Sequence, residues 1–151
     1  MSRSIIVLDA NILIRHALGQ RVGALIATHG SEVSFLAPDT AFVEARRNLP
    51  VILAARGGSA SASEEAYAAM DTAEEVVSLV PASSYEVMRA PALARIGARD
   101  PDDWPVLACA LLLDCPVWTE DRDFFGTGVA TWMTALVGLY FEAAAASQAG
   151  H

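Results

Sequence analysis

Ile5-Ile6-Val7-Leu8-Asp9 is the stretch that decides how this chain is read: four apolar residues in succession, then an acid. A short run that is apolar at every position fits a strand covered on both faces, as a central strand of a parallel sheet is. The pattern returns far downstream, where Pro116-Val117-Trp118 runs into Thr119-Glu120-Asp121-Arg122-Asp123. Ligands of an open parallel sheet bind outside the C-terminal ends of its strands. Two further acidic sites, Glu44 and Asp100-Pro101-Asp102-Asp103, stand near the starts of expected helices. Carboxylates gathered along one edge repel one another. The chain has no Lys to hold them, so a hard divalent cation is the natural counter-ion.

Working outward, the pattern predicts strands over residues 4–8, 33–37, 76–80 and 115–118, with a short edge strand within 129–132. Helices are expected over 11–18 and 22–27, and from the Pro38-Asp39-Thr40 cap to about Arg56. Another helix is expected to open at Ser63-Glu64-Glu65, with acids in its first turn. Gly57-Gly58 joins these last two helices into the most protruding part of the chain. A helical segment over 84–98 should break near Pro91. A very apolar helix over 102–113 and a closing helix over 134–146 complete the set, with residues from 143 onward fraying. Strands alternating with helices imply a parallel sheet covered on both faces, here in one domain spanning 1–151.

At 54% hydrophobic residues the chain is globular. A net charge of −8 argues against a broad, nonspecific grip on nucleic acid. It does not exclude a nuclease, because a metal pocket itself needs negative charge. All ten basic residues are Arg, the better residue for forked phosphate contacts, although this bias reads first as genomic base composition. Cys109 and Cys115 lie in apolar surroundings, and His16, His29 and His151 are scattered. They form no zinc pattern and imply a reducing compartment. No apolar run approaches the roughly 18 residues of a membrane span, and Asp9 and Asn11 interrupt what would be a leader. A cytoplasmic protein is expected.

Each acid also has an ordinary structural explanation. Asp9 suits a helix cap, and Glu44 suits a surface pair with Arg47. Asp100, Pro101 and Asp103 suit a capped first turn. Asp121-Arg122-Asp123 suits an exposed turn with a local ion pair, and two acids two apart in an extended segment should not both face one ion. Other chemistries are dismissed more cheaply. Asp9-Ala10-Asn11 lacks the second Asp of a haloacid-dehalogenase-type phosphatase, Gly126-Thr127-Gly128 precedes no phosphate-binding helix, and no Ser is framed as a nucleophile elbow.

Taken together, these residues resemble the PIN domain, a family of metal-dependent ribonucleases, over nearly the whole chain. Val7-Leu8-Asp9-Ala10-Asn11-Ile12-Leu13-Ile14 is similar to the family's first motif, with Asp9 as its metal-binding acid and Asn11 as the small polar residue two on. Glu44 in Phe42-Val43-Glu44-Ala45-Arg46 matches the second acid. Asp103, at the mouth of an Ala-rich helix, matches the third, with Asp102 and Asp100 as alternatives. The stretch Trp118-Thr119-Glu120-Asp121-Arg122-Asp123-Phe124 is the most specific part. It assigns Thr119 and Asp121 to the site and a supporting role to Asp123.

The resemblance implies an α/β/α sandwich around a mostly parallel sheet of about four or five strands. It also implies Mg²⁺ or Mn²⁺ held by Asp9, Asp103 and Asp121, with Glu44 completing the catalytic acids. The expected activity is endonucleolytic cleavage of single-stranded RNA. Many small bacterial members are toxins of type II toxin–antitoxin pairs and form dimers, so a small antitoxin and a second copy of the chain are the implied partners, with no membrane. Arg15, Arg46, Arg47 and Arg122 are the candidates for substrate phosphates. Two rival readings stay open: a PIN-like binding module without catalysis, and a generic α/β fold whose acids are caps and surface pairs.

Overall fold

β1 (Ser4–Leu8) lies at the centre of the sheet because its side chains are apolar on both faces. Ile6 and Leu8 enter one core, and Ile5 and Val7 face the other. In the computed structural model, which describes residues 3–149, β1 pairs on one side with β2 (Val33–Pro38) and on the other with β4 (Val117–Trp118). β3 (Val77–Val80) extends the sheet beyond β2, and β5 (Thr131–Trp132) extends it beyond β4. The five strands are all parallel, in the order β3-β2-β1-β4-β5.

One face is covered by α1 (Ala10–Leu18), α2 (Arg21–His29), α3 (Asp39–Arg56), α4 (Ala60–Val76) and α8 (Thr134–Ala149). The other carries α5 (Ala82–Tyr85), α6 (Arg89–Ile96) and α7 (Trp104–Leu113). The result is the three-layer α/β/α arrangement. Phe35, Trp118 and Phe141 meet near one another on the first face, with ring centroids 5.5–6.3 Å apart. Trp118 is fully buried, and its indole N–H donates to Thr134 Oγ1 at 3.0 Å. Truncating a ring such as Phe141 to Ala would cost about 3–5 kcal/mol.

Several local expectations need correction. α4 starts at Ala60, not at Ser63, because the Ser59 hydroxyl accepts from Ala62 N and caps it. The α3–α4 hairpin exposes its connecting turn, residues 54–62, while Met70 and Ala73 of α4 are fully buried in the core shared with α1. The break in the 84–98 segment falls at Glu86–Met88, where the chain tightens to a 3-10 turn, and Pro91 sits in the first turn of α6, where its missing N–H is harmless. α8 runs through the expected frayed region to Ala149, and Gln148 donates to Glu32 O at 2.7 Å. Residues 150 and 151 of that region lie outside the described residues. Among the described residues, no helix is long and apolar enough to cross a membrane.

The strand order positions the site. The chain leaves β1 toward β2 and β3, then returns to add β4 and β5 on the opposite side. The order therefore reverses between β1 and β4. At such a switch point the loops diverge to opposite faces and leave a crevice outside the strand ends.

Candidate active site

Asp9 follows the last residue of β1, and Thr119 follows the last residue of β4. The ladder sets them side by side, since Leu8 is in register with Trp118 and Asp9 N donates to Trp118 O at 3.1 Å. Asp9 is 5% exposed and Thr119 is fully buried. The Thr119 hydroxyl donates to Asp9 Oδ2 at 2.9 Å and accepts from Asp121 N at 2.9 Å and from Asn11 Nδ2 at 3.1 Å. A hydroxyl has one donor and two lone pairs, so all three capacities of Thr119 are used. Asn11 also donates to Asp9 Oδ2 at 3.2 Å, and its carbonyl accepts from Glu120 N at 3.1 Å. The cap reading of Asp9 is correct as far as it goes: Oδ1 accepts from Ala10 N at 2.7 Å.

Asp103 arrives from the other side. Asp100 Oδ1 accepts from Asp102 N at 3.1 Å, a tight turn led by Pro101 follows, and α7 begins at Trp104. Asp103 occupies the cap position of α7 but makes no capping bond, and its buried Oδ2 has no hydrogen-bond partner. One carboxylate oxygen from each of Asp9, Asp103 and Asp121 lies within 4.8 Å of the others. Asp100, Asp121 and Asp123 form a second such group sharing Asp121, whose Oδ1 also accepts from Asp123 N at 2.9 Å. Asp102 is exposed and belongs to neither group.

Glu44 lies outside these triplets. It is half-buried in a cleft of about 440 Å³ that it shares with Asp9, Asp39, Arg47 and Asp103. Among the described residues it makes no ion pair with Arg47. Arg46 is paired with Asp71 and Glu74 at the surface.

The electrostatics follow from the crowding. Burial raises the Asp9 carboxyl from 3.8 to about 6; the hydrogen bonds from Thr119 and Ala10 oppose this rise, and the charges of Glu44 and Asp121 add to it. Burial also pushes Asp103 far above the ordinary carboxylate range, reinforced by the charge of Asp9 and by the adjacent Asp121 and Asp100. Without a cation, the crowding therefore disfavours carrying a charge on both Asp9 and Asp103.

With this geometry established, comparison with known proteins is decisive for the family. Residues 7–142 match the family model of the PIN domain. The chain belongs to the PIN domain family. PIN domains are generally nucleases. A solved structure of VapBC-1 from nontypeable Haemophilus influenzae is similar in fold, with a TM-score of 0.55 at 17% sequence identity, covering 87% of this chain and 98% of that one. Among curated proteins, no match is found.

The acid group of this PIN domain fits a divalent cation on its own evidence of chemistry. The donors are hard carboxylate oxygens, three of them converge, and the orphaned Asp103 Oδ2 has the unmet capacity that a cation would satisfy. Sequence reasoning did not single out Asp39, which follows β2 as Asp9 follows β1. Asp39 Oδ1 accepts from Thr40 N at 2.8 Å and from Tyr85 OH at 2.6 Å, and the residue lines the acid cleft. The signal was the same edge rule, masked by the expectation of a simple cap. Glu120, also passed over, accepts from Thr134 N at 2.8 Å and ties the site loop to the start of α8. Cys109 and Cys115 play no part: burial pushes both thiols up to about 12.

Proposed function

We propose that this chain is a Mg²⁺- or Mn²⁺-dependent endoribonuclease that cuts single-stranded RNA. The observation that carries the proposal is the convergence of Asp9, Asp103 and Asp121 at the switch point, with one buried oxygen left unpaired. Those three residues would hold the cation, with Glu44 reaching it through water. A cation held by these residues would supply activation of a water and neutralisation of charge on the phosphate.

The protein's own part is positioning. Thr119 and Asn11 fix the Asp9 carboxylate, and Thr119 fixes the start of the loop bearing Asp121. Glu44, half-buried in the same cleft, would accept a proton or orient a water. Arg47 lines the same cleft, and its guanidinium suits a non-bridging phosphate oxygen. Asp123 supports the turn through its backbone N–H.

The chain is further proposed to be the cytoplasmic toxin of a type II toxin–antitoxin pair, acting as a homodimer with a small antitoxin partner. The family membership and the likeness in fold to VapBC-1 support that reading. The test is cleavage of single-stranded RNA with chelator, then with added Mg²⁺ or Mn²⁺, alongside the Asp9→Asn protein. Metal-restored cleavage that the variant lacks is the expected result. RNA binding with no cleavage under any metal would leave only a binding module.

A further inference from the structure

The ten arginines divide by what they touch. Arg3, Arg95 and Arg99 donate to backbone carbonyls, Arg46 holds two acids, and Arg89 lies over the Trp104 ring. Among the described residues, Arg15, Arg21, Arg47, Arg56 and Arg122 have no side-chain hydrogen bond and no acid within ion-pair distance. Lack of a partner is ordinary for a solvated guanidinium. The placement of three of these five is not. Arg15, Arg21 and Arg56 line one cleft of about 490 Å³, which Asn11 also lines and which, among the described residues, has no acidic side chain in its wall. In a chain with 18 acids against 10 basic residues, such a cleft runs against the overall charge.

Helix dipoles account for only part of the arrangement. Arg15 and Arg56 lie in the last turns of α1 and α3, where a cation is favoured. Arg21 opens α2, where a cation is disfavoured, yet it joins the same cleft. α3 connects the two clefts: Glu44 and Arg47 line the acid cleft, and Ile52 and Arg56 line the basic one. Asn11 connects them again, since its amide bonds Asp9 while the residue borders the arginines.

We propose that the Arg15–Arg21–Arg56 cleft is a backbone subsite for single-stranded RNA, holding phosphates that flank the bond cut at Asp9. The inference rests on the ribonuclease reading and deepens it. Guanidinium forks match phosphate oxygens in two-point contacts. Among the described residues no aromatic ring lines the cleft, so bases have nothing to stack on there, and the contact reads the sugar–phosphate chain independently of base identity.

The experiment measures binding of a labelled single-stranded RNA oligonucleotide across a salt series, in the non-cleaving Asp9→Asn protein with and without Arg15→Gln, Arg21→Gln and Arg56→Gln together. The triple change should weaken binding at least tenfold at low salt and flatten the slope of log affinity against log salt by about 2, given about 0.7 per phosphate contact on single strands. With Asp9 restored, the triple change should lower kcat/KM on the RNA far more than on bis(p-nitrophenyl) phosphate, which reaches only the acid site. Unchanged affinity and slope overturn the subsite while leaving the ribonuclease reading intact. A parent protein that neither binds nor cuts RNA overturns both. Equal losses on RNA and on the small diester show damage to the acid site and overturn the subsite. Intact RNA binding with lost binding of a polyglutamate peptide assigns the cleft to an acidic protein partner and overturns the RNA assignment.

Discussion

The Thr119 hydroxyl donates to Asp9 Oδ2 at 2.9 Å across 110 residues of sequence. The bond joins the ends of β4 and β1, and through the same oxygen Thr119 accepts the backbone N–H of Asp121. One small side chain therefore sets the relative position of two acids proposed to share an ion.

Thr119→Val removes that link while keeping the shape. It leaves Asp9 Oδ2 and Asp121 N short of a partner in a buried place, at a cost of about 1–3 kcal/mol. The expected result is a lowered melting temperature and a fall in kcat of tenfold or more, with Thr119→Ser restoring most of both. Full activity in Thr119→Val would show that Asn11 alone suffices to orient Asp9.

Asp9→Asn should abolish RNA cleavage and stabilise the metal-free fold near neutral pH. The folded-state pKa of Asp9 is raised, from 3.8 to about 6. The stability of the wild type linked to this group is fully present below the lower value and is lost as pH rises through the upper one. The variant escapes that loss, a gain of about 1–3 kcal/mol after allowing for a weakened hydrogen bond from Thr119. Denaturant melts of both proteins check the sign: the gap should open between the two pKa values and widen further where Asp103 titrates, because the Asp9 charge that helps raise that group is gone.

Metal binding should release protons. Burial and the Asp9 charge raise the Asp103 carboxyl and favour its protonated form, and a carboxylate must ionise to hold a cation. Calorimetry with Mn²⁺ in buffers of different ionisation enthalpy should report about one proton released per ion, with affinity rising as pH rises. Heat independent of the buffer would mean that the ion does not displace the Asp103 proton.

Asp103→Asn should be inactive, whereas Asp100→Asn and Asp102→Asn should retain activity. Asp103 alone of the three converges with Asp9 and Asp121, whereas Asp102 is exposed at the rim of the same cleft and joins neither acid group. Asp100→Asn should lose up to about 1 kcal/mol, because Asp100 Oδ1 caps the turn before α7. Cleavage assays and thermal melts on the three proteins separate the roles. A dead Asp102→Asn beside an active Asp103→Asn would move the third acid one position along.

By itself, the sequence determined the parallel sheet and the edge that carries the acids. Both follow from local regularities: Ile5 to Leu8 is apolar at every position, and Asp9 comes directly after it. The order of strands was not local. Whether β4 returned beside β1 or extended beyond β3 depended on which faces the helices covered, and only packing resolved it. The same holds within the site. The acids were nameable from their positions after strands and before helices, but their partners were not, because Thr119 and Asn11 are 108 residues apart in sequence and meet only through the β1–β4 pairing. The arginines show the division most clearly. Arg46 and Arg47 are adjacent in sequence, yet only the fold ties the first to Asp71 and Glu74 and leaves the second in the acid cleft. Successive positions on a helix point about 100° apart, and what each then meets is decided by tertiary structure.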